Sequence, residues 1–192
     1  MLTREEFERR WDLHPEIKKA ELIDGQVYIE VTVSTRHSEP HGLMSTWAGS
    51  FVSARPALQF LPDSTVRLEG ENDLQPDVLI RQRDGGSSLI SSDWNVHGPP
   101  ELCVEVAASS VAYDLFVKRE AYRRAGVQEY LVWQVWDGRV DWWELRDGQY
   151  VSIEPDADGV IESRVFPGLR LHVPKLIEGD LAGVLAELQP RA

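Results

Sequence analysis

The chain has one cysteine, few cations for its length and no long apolar run, and each scarcity excludes something. Cys103 stands alone, which rules out an intramolecular disulfide and any cysteine-cluster zinc site. No apolar stretch approaches the roughly 20 residues that a membrane-spanning helix requires. The opening "MLTREEFERRW" is polar and mixed in charge, unlike a secretory leader, so a cytoplasmic location is the expectation. Lysine and arginine number 20 against 32 aspartates and glutamates, a formal net charge of −12. Proteins that hold nucleic acid through many phosphate contacts normally carry a basic stripe. The nearest approach here is "KREAYRR", Lys118 to Arg124, whose plain reading is a solvated helix face.

What is present points to one α/β domain spanning residues 1–192. At 192 residues with 42% hydrophobic side chains, the chain is long enough to bury a core without staples. "TREEFERRW" signals a first helix capped by Thr3, with Glu6 reaching back to the cap. "AELIDGQVYIEV" reads as a hairpin about Asp24-Gly25. A second helix is expected from Glu39 or Pro40 to Ser53, with proline in its first turn. "TVRLE" and "PDVLIR" read as strands joined by a polar loop, "GENDLQ". "RDGGSSLISSDWNVHGPP" reads as an irregular loop, the most mobile internal segment. "ELCVEVA" is a strand, Tyr113 or Asp114 to Ala125 a helix stopped by Gly126, and "VQEYLVWQV" a strand. That strand–helix–strand unit predicts a parallel, right-handed crossover. A meander follows through "RVDWWELR", "QYVSIEP" and "VIESRVF", then the strand "LRLHV" and a short helix at Leu181 to Leu188. The sum is a mixed sheet flanked by helices with a C-terminal meander.

Within this frame one residue is out of place. Alternation along "ELCVEVA" sends Leu102, Val104 and Val106 to one face and Glu101, Cys103 and Glu105 to the other. Glu105 thus needs a cation, a donor or an outlet to water. Asp77 heads the preceding strand "PDVLIR", and pairing of the two strands would bring the carboxylates together. Two carboxylates in a partly dry site share a cation or a proton. Oxygen donors of this kind suit Mg²⁺, which can polarise a phosphoryl oxygen and lower the pKa of water. Lys118, on the following helix, would add positive charge beside the phosphorus. Plainer readings stand beside this one. Glu105 can pair with an arginine, Asp77 can be a turn residue, Asp114 can be a cap, and Asp114 with Lys118 can form an ordinary helix ion pair.

"ELIDGQVY", "PDVLI", "GPPELCVEV", "YDLFVKREAYRRAGVQEYLV" and "FPGLRL" follow one another as in the Uma-type family of "putative restriction endonucleases". That family lies within the PD-(D/E)XK nuclease superfamily, and the resemblance runs from the first helix to about Leu176. It implies a restriction-endonuclease-like α/β core and Mg²⁺ (or Mn²⁺) as cofactor. DNA is the implied substrate, cut by metal-assisted hydrolysis of a phosphodiester. Asp77 and Glu105 match the motif's two acids, Glu21 an acidic position near the metal in relatives, and Lys118 the lysine. The superfamily lysine would stand two after Glu105, where this chain has Ala107. A second departure is "AASSVAYD", where Ala108, Val111 and Ala112 stand at places that are more polar or basic in the family. Asp114 is a supporting residue. So is His41, which matches somewhat better than His37, although cap or surface roles suit both. Two other readings are a fold retired from catalysis that serves as a binding or regulatory module, and a two-carboxylate glycosidase using tryptophans on sugars. Exposed tryptophans of the meander would suit a homodimer surface.

Overall fold

The computed structural model describes residues 1–30 and 35–189. Thr3 caps α1 (Arg4–Trp11) by accepting from the Glu6 N–H. Glu6 does not reach back to the cap; its carboxylate takes both Arg9 and Arg10, two guanidiniums that outcompete one backbone N–H. β1 (Lys19–Ile23) and β2 (Gln26–Glu30) form the expected hairpin. Asp24 and Gly25 both adopt positive φ at its turn, as a two-residue hairpin of this hand requires. Val31, the end of the anticipated hairpin, lies outside the described residues. The second helix, α2 (Thr35–Ser53), begins before Glu39 and carries Pro40 inside it, where the ring forgoes one backbone bond.

β3 (Leu58–Pro62) and β4 (Val66–Leu68) follow, then β5 (Asn72–Leu74), where a loop was expected. β5 pairs with both β1 and β4. Its polarity hides a strand because Arg4, from α1, neutralises Asp73. After β6 (Val78–Gln82), the anticipated loop contains two short strands, β7 (Leu89–Ile90) and β8 (Val96–His97), which pair with each other. Buried Arg81 ties this stretch down by donating to the Ser88 hydroxyl and carbonyl.

β9 (Leu102–Ala107) leads into a π-helical segment, Tyr113–Lys118, which runs directly into α3 (Arg119–Ala125). Gly126 ends the helix at φ 87°. β10 (Glu129–Gln134) returns parallel to β9, as the crossover predicts. β11 (Arg139–Arg146) and β12 (Gln149–Ser152) extend the sheet as a meander. β13 (Val160–Glu162) leaves the meander and pairs with β14 (Arg170–His172) in a separate ladder. α4 (Val173–Ile177) and α5 (Leu181–Ala186) close the described fold.

The single mixed sheet of the sequence reading becomes two six-stranded sheets, ordered β2-β1-β5-β4-β8-β7 and β12-β11-β10-β9-β6-β3. The second sheet separates two cores. Val78, Ile80, Leu102, Val104, Val106, Leu131 and Trp133 pack on one face, with Met44, Trp47 and Phe51 of α2. Leu79, Cys103, Ala107, Tyr130 and Val132 pack on the other, with Tyr122 of α3 and Ile23 and Leu74 of the first sheet. Asp77 and Glu105 follow the second alternation, so they face the space between the sheets and the π-helical segment. Trp142 is buried edge-on to Trp47, and Trp133 is core as well, which removes the main support for a sugar-stacking glycosidase.

Candidate active site

Asp77 precedes β6, and the antiparallel register Val78↔Val104, Leu79↔Cys103 carries it to a place beside Glu105. Both acids line one cleft of about 370 Å³, together with Lys19, Glu21, Asp114 and Lys118. The structure therefore gathers Asp77, Glu105, Glu21, Asp114 and Lys118 at one end of the gap between the sheets. All five are buried, Glu105 at 2% exposure.

Each carboxylate is held differently. Asp77 accepts the Val106 N–H on Oδ2 at 2.7 Å and the Lys19 ammonium on Oδ1 at 3.0 Å. His37 Nε2 lies 3.5 Å from the same Oδ1, while its Nδ1 meets the Val106 carbonyl at 3.0 Å. Burial opposes ionisation of Asp77. The His37 contact and the charges of Lys19 and Lys118 outweigh it and hold the carboxyl well below its ordinary range. His41 reaches the backbone of Asp77 instead, its Nε2 2.9 Å from the carbonyl. Both histidines lie within α2, so of the two it is His37 that meets the acid.

Lys118 is the hub of the other acids. Its ammonium lies 2.9 Å from Glu105 Oε1, 2.9 Å from Glu21 Oε1 and 3.9 Å from Asp114 Oδ1. Burial works against this charge, but the surrounding carboxylates outweigh it and raise the lysine pKa well above normal. One ammonium serves three carboxyls, so burial wins at Glu105 and pushes its pKa up even as Lys118 pulls it down. Tyr122 donates a further bond to Glu105 Oε1 at 3.1 Å. Glu21 is satisfied on both oxygens, by the Gln75 N–H and Lys118 on Oε1 and by the Tyr113 hydroxyl on Oε2.

The π-helical segment explains why Tyr113 joins Lys118 here. Residues five apart on an α-helix diverge by roughly 140°, whereas the wider i→i+5 turn brings them onto one side. The Arg119 N–H bonds the Asp114 carbonyl across that span. Lys19, Tyr113 and Tyr122 escaped the sequence reading. Lys19 carried a legible signal, since it stands two before Glu21 on the same strand face.

Asp114 illustrates how burial tunes the cluster. Burial pushes its pKa up from 3.8 to about 6, against the pull of Lys118 and the Ser110 hydroxyl. An acid whose folded pKa is raised contributes no penalty below its unfolded pKa, and the penalty grows as pH rises through the folded value. The fold should therefore lose about 2–3 kcal/mol at this residue between about pH 4 and pH 7. Asp114→Asn should flatten that part of the stability profile, as read by urea denaturation across the range.

The cleft fits a hard divalent cation in its chemistry. Such ions take one or two carboxylates and complete their shell with water. Among the described residues Glu105 is bonded through Oε1, by Lys118 and Tyr122, and Asp77 is held ionised beside it. Among the described residues no three His, Cys, Asp or Glu side chains form a ready cage, and Lys118 fills the space between Glu21 and Glu105.

The chain is a mixed α/β fold with Asp77, Glu105 and Lys118 in one cleft at the end of a strand pair. The family described as Uma2, "Putative restriction endonuclease", matches residues 4–174, and the chain belongs to that family. A crystal structure from Anabaena variabilis, titled "a putative nuclease belonging to DUF820", shares the fold. It superposes with a TM-score of 0.70 at 14% identity, over 93% of this chain and 99% of that one. No curated protein matches the chain. No helix among the described residues is long and apolar enough to cross a membrane.

Proposed function

We propose that the chain is a divalent-metal-dependent endonuclease, a single domain over residues 1–192 that hydrolyses phosphodiester bonds in DNA. The observation that carries this reading is the meeting of Asp77, Glu105 and Lys118 in one cleft from three separate elements. Asp77 and Glu105 would hold the cation, Mg²⁺ or Mn²⁺. When bound, such an ion polarises a phosphoryl oxygen and lowers the pKa of water.

The chain's own groups do the rest. Lys19, His37 and the Val106 N–H keep Asp77 ionised and fixed. Tyr122 and Lys118 orient Glu105 through Oε1. Lys118 supplies positive charge where negative charge develops on the phosphoryl oxygens. Glu21 and Asp114 position that ammonium from the other side, and Tyr113 locks Glu21. Glu21, 2.9 Å from that ammonium, would be the third acid near the cation. A homodimer in the cytoplasm is the acting form proposed, with Trp136, exposed between β10 and β11, as the tryptophan that would face the second copy.

A second reading, a retired fold serving as a binding module, is favoured by one observation. Both cations of the cleft, Lys19 and Lys118, are already paired with carboxylates. Incubation of labelled single- and double-stranded DNA with Mg²⁺ or Mn²⁺ separates the two. Cleavage that EDTA abolishes supports the endonuclease, and intact DNA with either metal supports the module.

A further inference from the structure

The cleft that holds the acids also holds two tyrosines, and the endonuclease reading leaves them without a role towards substrate. Tyr28 of β2 stands opposite Glu21 in the hairpin register, and Tyr113 begins the π-helical segment. Their ring centroids lie 4.6 Å apart at 31°, and both rings are half-buried in the cleft wall. Tyr113 is fixed by its hydroxyl on Glu21 and has the Lys118 ammonium over its ring at 5.5 Å, so it backs Tyr28, the ring that would meet a base. Tyr28 is braced by its hydroxyl on Gln26.

Three observations bear on what such a wall receives. Asp77, Glu105 and Lys118 are each 2% exposed, so a phosphate must enter the cleft to meet them. A volume of about 370 Å³ belongs to the small-ligand range, the scale of a single nucleotide. Four cations in the cleft and on α3 are already paired. Lys19 and Lys118 serve Asp77 and Glu105, and Arg123 and Arg124 of α3 serve Glu120 and Asp24. With a net charge of −12, affinity has to come from something besides phosphate neutralisation. Stacking of bases on aromatic rings is that alternative, and it suits strands whose bases are unpaired.

We infer that the cleft takes single-stranded or locally unpaired nucleic acid, with the Tyr28–Tyr113 pair as the platform on which one base stacks. This rests on the phosphodiesterase reading and narrows its substrate class. A base seated there leaves its sugar-phosphate directed at the acids, whereas a paired base cannot reach the wall.

The test is fluorescence anisotropy in Mg²⁺ with phosphorothioate oligonucleotides of about twelve nucleotides, within the range one binding module covers. The single strand should bind at least about tenfold tighter than the duplex of the same sequence. Tyr28→Leu should lower single-strand affinity about tenfold and leave duplex affinity unchanged, while Tyr28→Phe should match the parent chain. A strand with abasic sugars throughout should bind the parent as weakly as the normal strand binds Tyr28→Leu. Equal affinity for both forms, or Tyr28→Leu binding as Tyr28→Phe does, overturns the inference. The endonuclease reading fails separately. Metal-dependent cleavage of duplex in preference to single strand sinks the substrate class and spares the activity. Tyr28-dependent single-strand binding without cleavage of unmodified DNA upholds the platform and sinks the activity.

Discussion

Lys118→Met will destabilise the fold by about 3–5 kcal/mol, the cost of leaving buried carboxylates without their cation. The substitution preserves length and apolar bulk, so the loss reports charge rather than packing. Glu105, Glu21 and Asp114 all depend on this one ammonium, and in its absence they repel one another in a dry site. The folded pKa values of Glu105 and Asp114, already raised by burial, then rise further above the unfolded ones. The penalty is absent below the unfolded carboxylate range, near pH 4, and grows as pH climbs through the raised values. Denaturation at pH 5 and pH 8 should show the smaller loss at pH 5. Adding Glu105→Gln to Lys118→Met should restore part of the stability, because it removes the acid that burial penalises most. A Lys118→Met protein as stable as the parent at pH 8 would contradict the charge hub.

Glu105→Gln alone should do the opposite, removing activity and leaving the fold intact. Lys118 retains Glu21 at 2.9 Å, and the Tyr122 hydroxyl keeps an oxygen to bond, so stability should change by less than about 2 kcal/mol. Cleavage should fall about a thousandfold. A cation that has lost a ligand forfeits several kcal/mol of transition-state stabilisation, and each ~1.4 kcal/mol is tenfold in rate. Single-turnover cleavage of labelled DNA with saturating Mn²⁺, beside a urea melt of the same preparation, gives both numbers. Lost stability together with lost activity would mark Glu105 as structural.

The two acids were legible because strand alternation does not depend on distant contacts. "PELCVEVA" puts Glu105 opposite its apolar neighbours whatever the strand pairs with, and the proline before Asp77 marks a strand start. Their meeting was not legible, since no local pattern encodes the register of β6 on β9. Lys19 was readable by the same period of two that exposed Glu105. His37 stood second because the family likeness favoured His41, and no local pattern tells which of two histidines one helical turn apart meets the acid. Tyr113 was read as a helix start and not as a site residue. The π-helical turn that swings it beside Lys118 leaves no mark in a pattern of helical spacing. The sheet ordered β2-β1-β5-β4-β8-β7 was hidden for a similar reason. β5, β7 and β8 are two or three residues long, too short for periodicity, and β5 and β8 join the sheet through β1 and β4, remote in sequence.

The central claim is that Asp77 and Glu105 act together as the cation site of this cleft. Calorimetric titration of Mn²⁺ into the parent chain, Asp77→Asn and Glu105→Gln tests it most directly, because binding is read without reference to any substrate. One site in the parent, weakened at least about tenfold in each variant, is the result predicted. Equal Mn²⁺ affinity in all three proteins would contradict it.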